Sequence, residues 1–362
     1  MIRKDFVELR LASGPVPHYR EMVELSKPIL EILVNEFGSY EVIKRFSDAL
    51  WFQSFACLLG FEWNYSGMTT VTLKAVKEAL NSLNLPIRVV GGKGKEALKT
   101  LEEIEKLEVK NKEELKRASI LSAKADNVEL QDGYELYFHS MIIDEKGNYS
   151  IINQKMNIEN QMVRRFHWIT NTKVFEEEPH SEIIGNKEKI VLNLFSKDSK
   201  ETRKAILDII KDYSPQKIER TLVMLSKSKS QKLLIDFFKL EGYEIVKLPY
   251  HFKIPTQVNK KALEIAKQAE SFEDVLAIRG IGKDTIRGLA YVANIIFGTR
   301  LSWKDPIKFT YAHGTKAGKP YYVDKERMLK EAEILRQAIE EAKIGNKQKM
   351  ILLKRLAKIV EM

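Results

Sequence analysis

The sequence predicts a mixed α/β (α+β) N-terminal domain followed by a mostly α-helical C-terminal domain. Three observations carry that reading. Apolar residues recur at helical spacing from His18 through Leu83 and again beyond Pro255. Strand-like alternation is confined to stretches near Val90, between Tyr134 and Met156, and at the ends of a middle region. Near the C-terminal end a Gly-Ile-Gly turn, Gly280 to Gly282, separates two apolar-periodic segments. At 362 residues the chain exceeds the usual size of one core, and the changes of pattern divide it into 1–188, 189–254 and 255–362.

The elements follow in order. Between His18 and Phe37, residues Met22, Val23, Leu25, Ile29, Ile32, Leu33 and Phe37 share a helical face, and Gly38 supplies a stop. A second helix is expected from Tyr40 to Leu50, leading into the aromatic-rich Trp51–Phe55, and a third from Thr69 to Leu83. Pro86–Val90 reads as a strand ending in Gly91-Gly92-Lys93-Gly94-Lys95, and a charged helical stretch runs from Lys99 to Lys124. Tyr134–Ile143 and Tyr149–Met156 form a hairpin joined at Glu145–Asn148. There Tyr134, Leu136 and Phe138 alternate with Glu135, Tyr137 and His139, which predicts one buried face and one facing solvent or a site. The middle region opens on strand-like Ile190–Phe195 and closes on Tyr243–Leu248. Helices are expected between them over Glu201–Tyr213, Pro215–Leu225 and Ser230–Leu240.

Composition narrows the class. Hydrophobic residues make up 44% and charged residues 30%, ordinary for a soluble globular protein. No apolar run approaches the ~20 residues that span a bilayer, and Met1–Arg10 mixes charges with apolar residues, unlike a signal peptide. The single cysteine, Cys57, excludes an internal disulfide and a cysteine-built zinc site; it fits a reducing cytosol and reads as a buried small hydrophobe. Sixty Lys and Arg against fifty Asp and Glu give a formal charge of +10, which favours polyanionic partners without specifying one. The Lys, Glu and Ile usage leans toward a thermophile.

The strongest motif is Leu276-Ala277-Ile278-Arg279-Gly280-Ile281-Gly282-Lys283-Asp284-Thr285-Ile286-Arg287-Gly288-Leu289. Two glycines permit a tight turn and bring backbone N–H groups close to a phosphate. Ile278 and Ile281 can plug the turn, while Lys283 and Arg287 lie one turn apart where the helix dipole favours an anion. The segment resembles the helix-hairpin-helix element of DNA repair, replication and recombination proteins, which holds the sugar-phosphate backbone without reading sequence. That resemblance assigns Arg279, Gly280, Ile281, Gly282, Lys283, Thr285 and Arg287 to DNA binding. In the glycosylases that share the element, a lysine stands two residues after the second glycine, and an aspartate follows about twenty residues later in a Val-Asp-Thr-His context. Here the first position is Asp284 and Asp305 lacks that context, so chemistry is expected elsewhere.

Polar residues of useful chemistry concentrate between Gly91 and His180. The Gly91–Lys95 turn lacks the full spacing of a phosphate loop, which argues against nucleotide binding but lets Lys93 and Lys95 approach DNA. Gln131, Asp132, His139, Gln154, Arg165, His167 and His180 complete the candidate catalytic set with the two lysines. Imidazoles beside cations can move protons and stabilise phosphate charge, and a lysine amine can form a Schiff base. Asp126 or Asp132 could join histidines around a divalent metal, but no His-x-x-x-His spacing supports one, so no cofactor is strongly indicated.

Several stretches together resemble one family: Ser54–Trp63 with Ser66–Thr70, Gly91–Lys95, Gln131–His139, Arg164–Trp168, Glu178–Ser181, Ser302–Pro306 and Tyr311–Gly314. They are similar to domain-of-unknown-function family seven-six-three, found in archaea and some thermophilic bacteria. The family implies no activity, but it favours treating the polar stretches as one site. The expectation is a cytoplasmic, nucleoid-associated DNA-repair enzyme acting on damaged or distorted duplex or structured DNA, as an endonuclease or glycosylase/AP lyase. The alternative is a non-catalytic DNA-binding or scaffolding protein.

Overall fold

The computed structural model describes residues 9–11, 16, 18–60, 65–170, 175–227 and 249–307, with scattered positions between 315 and 350. Four helices come first: α1 Tyr19–Phe37, α2 Ser39–Ser47, α3 Ala49–Leu59 and α4 Ser66–Asn81. Helix α1 buries Met22, Val23, Leu25, Ile29 and Leu33 of the expected stripe, leaves Ile32 partly buried and Phe37 exposed, and stops at Gly38, where φ is +81°. The aromatic stretch Trp51–Phe55 falls inside α3. The Asp48 side chain starts that helix by accepting the Trp51 N–H.

The charged stretch forms two helices, α5 Thr100–Lys106 and α6 Lys112–Lys124, because Asn111 turns the chain at φ +57° between them. A π-helical turn over Ala125–Glu129 follows α6. The five-stranded sheet is wholly antiparallel in the order β1-β3-β4-β5-β6, from β1 Ile87–Lys93, β3 Glu135–Asp144, β4 Tyr149–Asn157, β5 Met162–Ile169 and β6 Glu182–Ile184. The strand-like run at 190–195 reduces to β7 Leu192–Asn193, which pairs with β2 Leu130–Gln131.

The remaining helices are α7 Lys200–Asp212, α8 Pro215–Ser226, α9 Lys260–Ala266, α10 Phe272–Ala277 and α11 Lys283–Phe297. The helix and strand expected over 230–240 and 243–248 lie outside the described residues. Among the described residues no helix is long and apolar enough to cross a membrane.

Helices cover both sides of the sheet. On one side Phe138, Ile142 and Ile152 pack with Ile29, Phe46, Phe52 and Leu80 of the N-terminal helices. On the other, Met141, Ile151, Phe166 and Trp168 pack with Leu121, Ile206, Leu276, Leu289 and Tyr291. The expectation that one face of β3 meets solvent or a site is corrected along most of the strand: Phe138 and His139 point oppositely and both are buried, while Glu135 at its start is exposed. A sheet sandwiched between helix layers leaves neither face to water. The second apolar cluster runs from Val90 to Trp303, so all three chain segments share one interior.

Candidate nucleic-acid interface

The Gly280–Gly282 turn joins α10 to α11 as a helical hairpin. Ser271 and Asp274 close a reciprocal capping box at the start of α10. Gly280 sits at φ +96°, and a Cβ there would lie 2.5 Å from Asn259 Nδ2, so both backbone and space demand glycine. Ile281 is buried in the core and Ile278 packs against it, which fixes the turn. Gly282 is different: its backbone is extended at φ −125°, and a Cβ would meet nothing within 4 Å. Helices α8, α9 and α10 are capped by the side chains of Ser214, Asn259 and Ser271; α11, like α1, α2, α4, α5, α6 and α7, begins without a side-chain cap, and what sets it apart is the open space in front of Gly282. The first-turn N–H groups of α11 thus meet a shallow depression lined by Gln257, Asn259, Gly280, Gly282, Lys283 and Asp284. Arg279, which precedes Gly280 in the chain, is exposed.

The cations of α11 are placed otherwise than expected. Lys283 bonds Glu135 at 2.6 Å and the Tyr134 carbonyl at 3.1 Å. Arg287 is buried, and donates to Gln131 Oε1 and the Lys253 carbonyl, each at 2.8 Å, and to Asp284. Gln131 returns a bond from Nε2 to the Lys283 carbonyl at 3.0 Å, and Lys124 bonds the Ile281 carbonyl. These groups dock the hairpin on the corner between β2 and β3. Arg287 and Gln131 are therefore ties between elements, because the carbonyls and amide at this junction would otherwise be buried unpaired. Thr285 is also buried, while Asp284 is exposed on the first turn of α11.

The residues expected to form one catalytic cluster are divided by the sheet. On the side of α6, Ser119 Oγ lies 2.7 Å from His139 Nε2, and His139 Nδ1 lies 2.6 Å from Asn153 Oδ1. Asn153 Nδ2 donates to Asp126 Oδ2 at 2.6 Å, Trp168 Nε1 donates to the same oxygen at 3.2 Å, and His180 Nε2 bonds Asp126 Oδ1. A carboxylate only accepts, so Asp126 turns the Asn153 amide and leaves its oxygen toward His139. His139 then carries its proton on Nδ1 and accepts from Ser119 through Nε2. Burial holds its imidazole below the ordinary value, in the neutral form. This is the order of groups in a nucleophile, base and orienting amide, but all of them are buried.

On the opposite side, Gln154 donates to the Ser66 carbonyl at 3.0 Å. Arg165 reaches Thr69 Oγ1 and Gln53 Oε1, both at 3.3 Å, with its guanidinium 4.6 Å from the Phe52 ring centroid. His167 Nδ1 donates to the Phe46 carbonyl at 3.0 Å, while its Nε2 is buried and has no hydrogen-bond partner among the described residues. Burial, with Arg165 nearby, pushes the His167 imidazole well below its ordinary value. Alternation along a strand explains the split. His139 and Asn153 point to one face, Gln154, Arg165 and His167 to the other, so proximity in sequence does not become proximity in space.

Asp132 forms a third buried group. It pairs with Lys155 at 2.6 Å and Arg164 at 2.9 Å, and Arg164 also pairs with Asp305. Burial opposes charge on Asp132, but the two cations more than offset it and hold the carboxyl below its ordinary value. Lys93 and Lys95 are exposed, one at the end of β1 and the other in the turn after it. Gly94 N–H bonds the Tyr137 carbonyl there. Cys57 is half-buried, and burial pushes its thiol up to about 11, which leaves it unreactive.

Sequence inspection missed Ser119, Asn153 and Glu129; Asn153 shares its face of β4 with apolar Ile151 and charged Lys155, so no unbroken apolar alternation was there to mark it. Among the described residues no three His, Cys, Asp or Glu side chains converge so as to hold a metal ion.

The model of one family, described as Protein of unknown function (DUF763), matches residues 5–323. No curated protein and no solved structure matches the chain.

Proposed function

The chain belongs to that family, whose description names no activity, and from the hairpin we propose that it binds duplex DNA through the sugar-phosphate backbone. The observation that carries this is Gly282: an uncapped helix N-terminus, preceded by backbone with open space in front of it. Such a terminus offers N–H donors and the positive end of the helix dipole to a phosphate, with no side chain intervening. Arg279 is exposed beside it, and the formal charge of +10 adds long-range attraction. Backbone contacts carry no sequence information, so affinity is the same for unrelated duplexes. The reading places the protein in the cytoplasm, at the nucleoid.

Gly282→Ser tests it cleanly. Serine fits the extended backbone and supplies the missing cap, so thermal stability holds or rises by a few tenths of a kcal/mol. The same hydroxyl occupies the N–H that a phosphate would take. DNA affinity should therefore fall, and the slope of log affinity against log salt should flatten by about one unit. Unchanged affinity in the stable variant refutes the reading.

One observation favours an enzymatic version, in which the protein acts on damaged DNA: the Lys93 and Lys95 amines are exposed beside a glycine turn. An exposed lysine can attack an abasic sugar, and borohydride then traps the adduct on abasic duplex. Loss of trapping in the Lys93→Ala, Lys95→Ala double variant supports this version; no trapping by the wild type leaves DNA binding without lyase chemistry.

A further inference from the structure

The short 3-10 turn Tyr250–Phe252 is anchored on α11. Phe252 is buried edge-on against Trp303, with ring centroids 5.6 Å apart, and its carbonyl accepts the Tyr291 hydroxyl at 2.7 Å. The next carbonyl, of Lys253, accepts from Arg287 at 2.8 Å. His251 is half-buried against Phe252 and the Gly133 turn. Tyr250 turns outward, 82% exposed, with the exposed Lys253 ammonium 5.2 Å from its ring centroid. An aromatic ring this open buries little apolar surface in the fold, so packing does not account for its position. The Tyr250 carbonyl nevertheless accepts the Lys253 N–H at 3.1 Å, within a turn held by buried Phe252 and the Arg287-bonded Lys253 carbonyl.

We propose that Tyr250 and Lys253 form a stacking platform for an unpaired base next to the duplex held at the hairpin tip. This rests on the DNA reading above and specifies the DNA: duplex flanked by, or interrupted by, unpaired nucleotides. Arg287, one turn along α11 from Lys283, donates to the Lys253 carbonyl at 2.8 Å, so the turn that carries Tyr250 and Lys253 is tied to the helix that starts at Gly282. Stacking uses the flat face that every base has, so it is tolerant of sequence, as is a backbone clamp. The cation beside the ring strengthens attraction to a base and its phosphate. Because the turn is already fixed, little ordering entropy opposes binding.

The test compares a blunt duplex with the same duplex carrying a five-nucleotide single-stranded extension, whose first base is 2-aminopurine. Wild-type protein is expected to bind the extended duplex about tenfold tighter and to quench the fluorophore. Tyr250→Ala should abolish both the preference and the quenching while leaving blunt-duplex affinity unchanged; Tyr250→Phe should retain them. Gly282→Ser should weaken binding to both duplexes and keep the preference. Equal wild-type affinity for the two duplexes overturns the platform alone, as does a preference that survives Tyr250→Ala. Absence of binding to either duplex overturns the platform together with the DNA reading.

Discussion

Glu129 is fully buried in the π-helical turn, and among the described residues neither of its carboxylate oxygens has a hydrogen-bond partner. Burial pushes its carboxyl well above the ordinary value; Arg203 opposes this, while Glu176, Glu273 and Asp126 add to it. The folded state thus holds a proton that the unfolded chain releases near pH 4.5. Its contribution is complete below that pH and is lost as pH rises through the elevated folded value. Glu129→Gln keeps the shape without the charge, so it should flatten that decline and raise stability at pH 8, as read by urea unfolding at pH 5 and 8. An unchanged slope would show that the group is paired. His139 and His167 act oppositely, because burial lowers both. Their contribution is present above pH 6.5, the unperturbed value, and is lost as pH falls through the lower folded values. His167→Asn, whose amide can still donate to the Phe46 carbonyl, should therefore shift acid unfolding to lower pH even if the variant is less stable at neutrality.

Elements are joined by buried charge as well as by apolar contact. Asp305, in the segment after α11, is tied to Arg164 on β5 and also accepts the Glu188 N–H at 2.6 Å. Asp305→Ala strips a buried guanidinium of one partner and should cost about 3–5 kcal/mol in denaturant titration. Replacing Arg164 by Met in the same chain should recover part of that loss, since no unpaired charge remains; failure to recover would place the cost in the backbone contacts instead. The hairpin supplies a second contrast. Gly280→Ala forces a side chain into φ +96° and against Asn259, so it should cost about 1–3 kcal/mol, whereas Gly282→Ser should cost nothing. Most elements were legible from sequence at this scale because periodicity is local. The split of the charged stretch at Asn111 was not, since a left-handed asparagine has no marker but its own type.

Across the whole molecule, one face of the sheet and the C-terminal helices enclose a single apolar interior. A fragment beginning at Pro255 would expose Leu276, Ile286, Leu289 and Tyr291, which pack in a cluster with Leu121, Phe166 and Trp168. Burial of such residues is worth about 1.5–3 kcal/mol each. The fragment should therefore lack a cooperative thermal transition by circular dichroism, while the full chain shows one. A sharp transition in the isolated fragment would mean that the hairpin region folds on its own. The docking ties Lys124–Ile281, Gln131–Lys283 and Arg287–Gln131 follow the same pattern, each bridging segments more than 150 residues apart.

The sequence by itself determined the helix stripes, the antiparallel hairpin of strands, the glycine turn with its buried Ile281, and the family. Each depends on neighbours in the chain: a period of 3.6 or 2, a residue that tolerates positive φ, or a motif read in order. Only the tertiary structure decided what covers each face. It closed both sides of the sheet, separated His139 from Arg165 and His167, and turned Arg287 inward to Gln131 and Lys253. It also left Tyr250 outside while burying Phe252 two residues later. A strand pattern says that two faces exist, but contacts across them come from residues distant in sequence, and burial alone sets whether a polar side chain is a site or a tie.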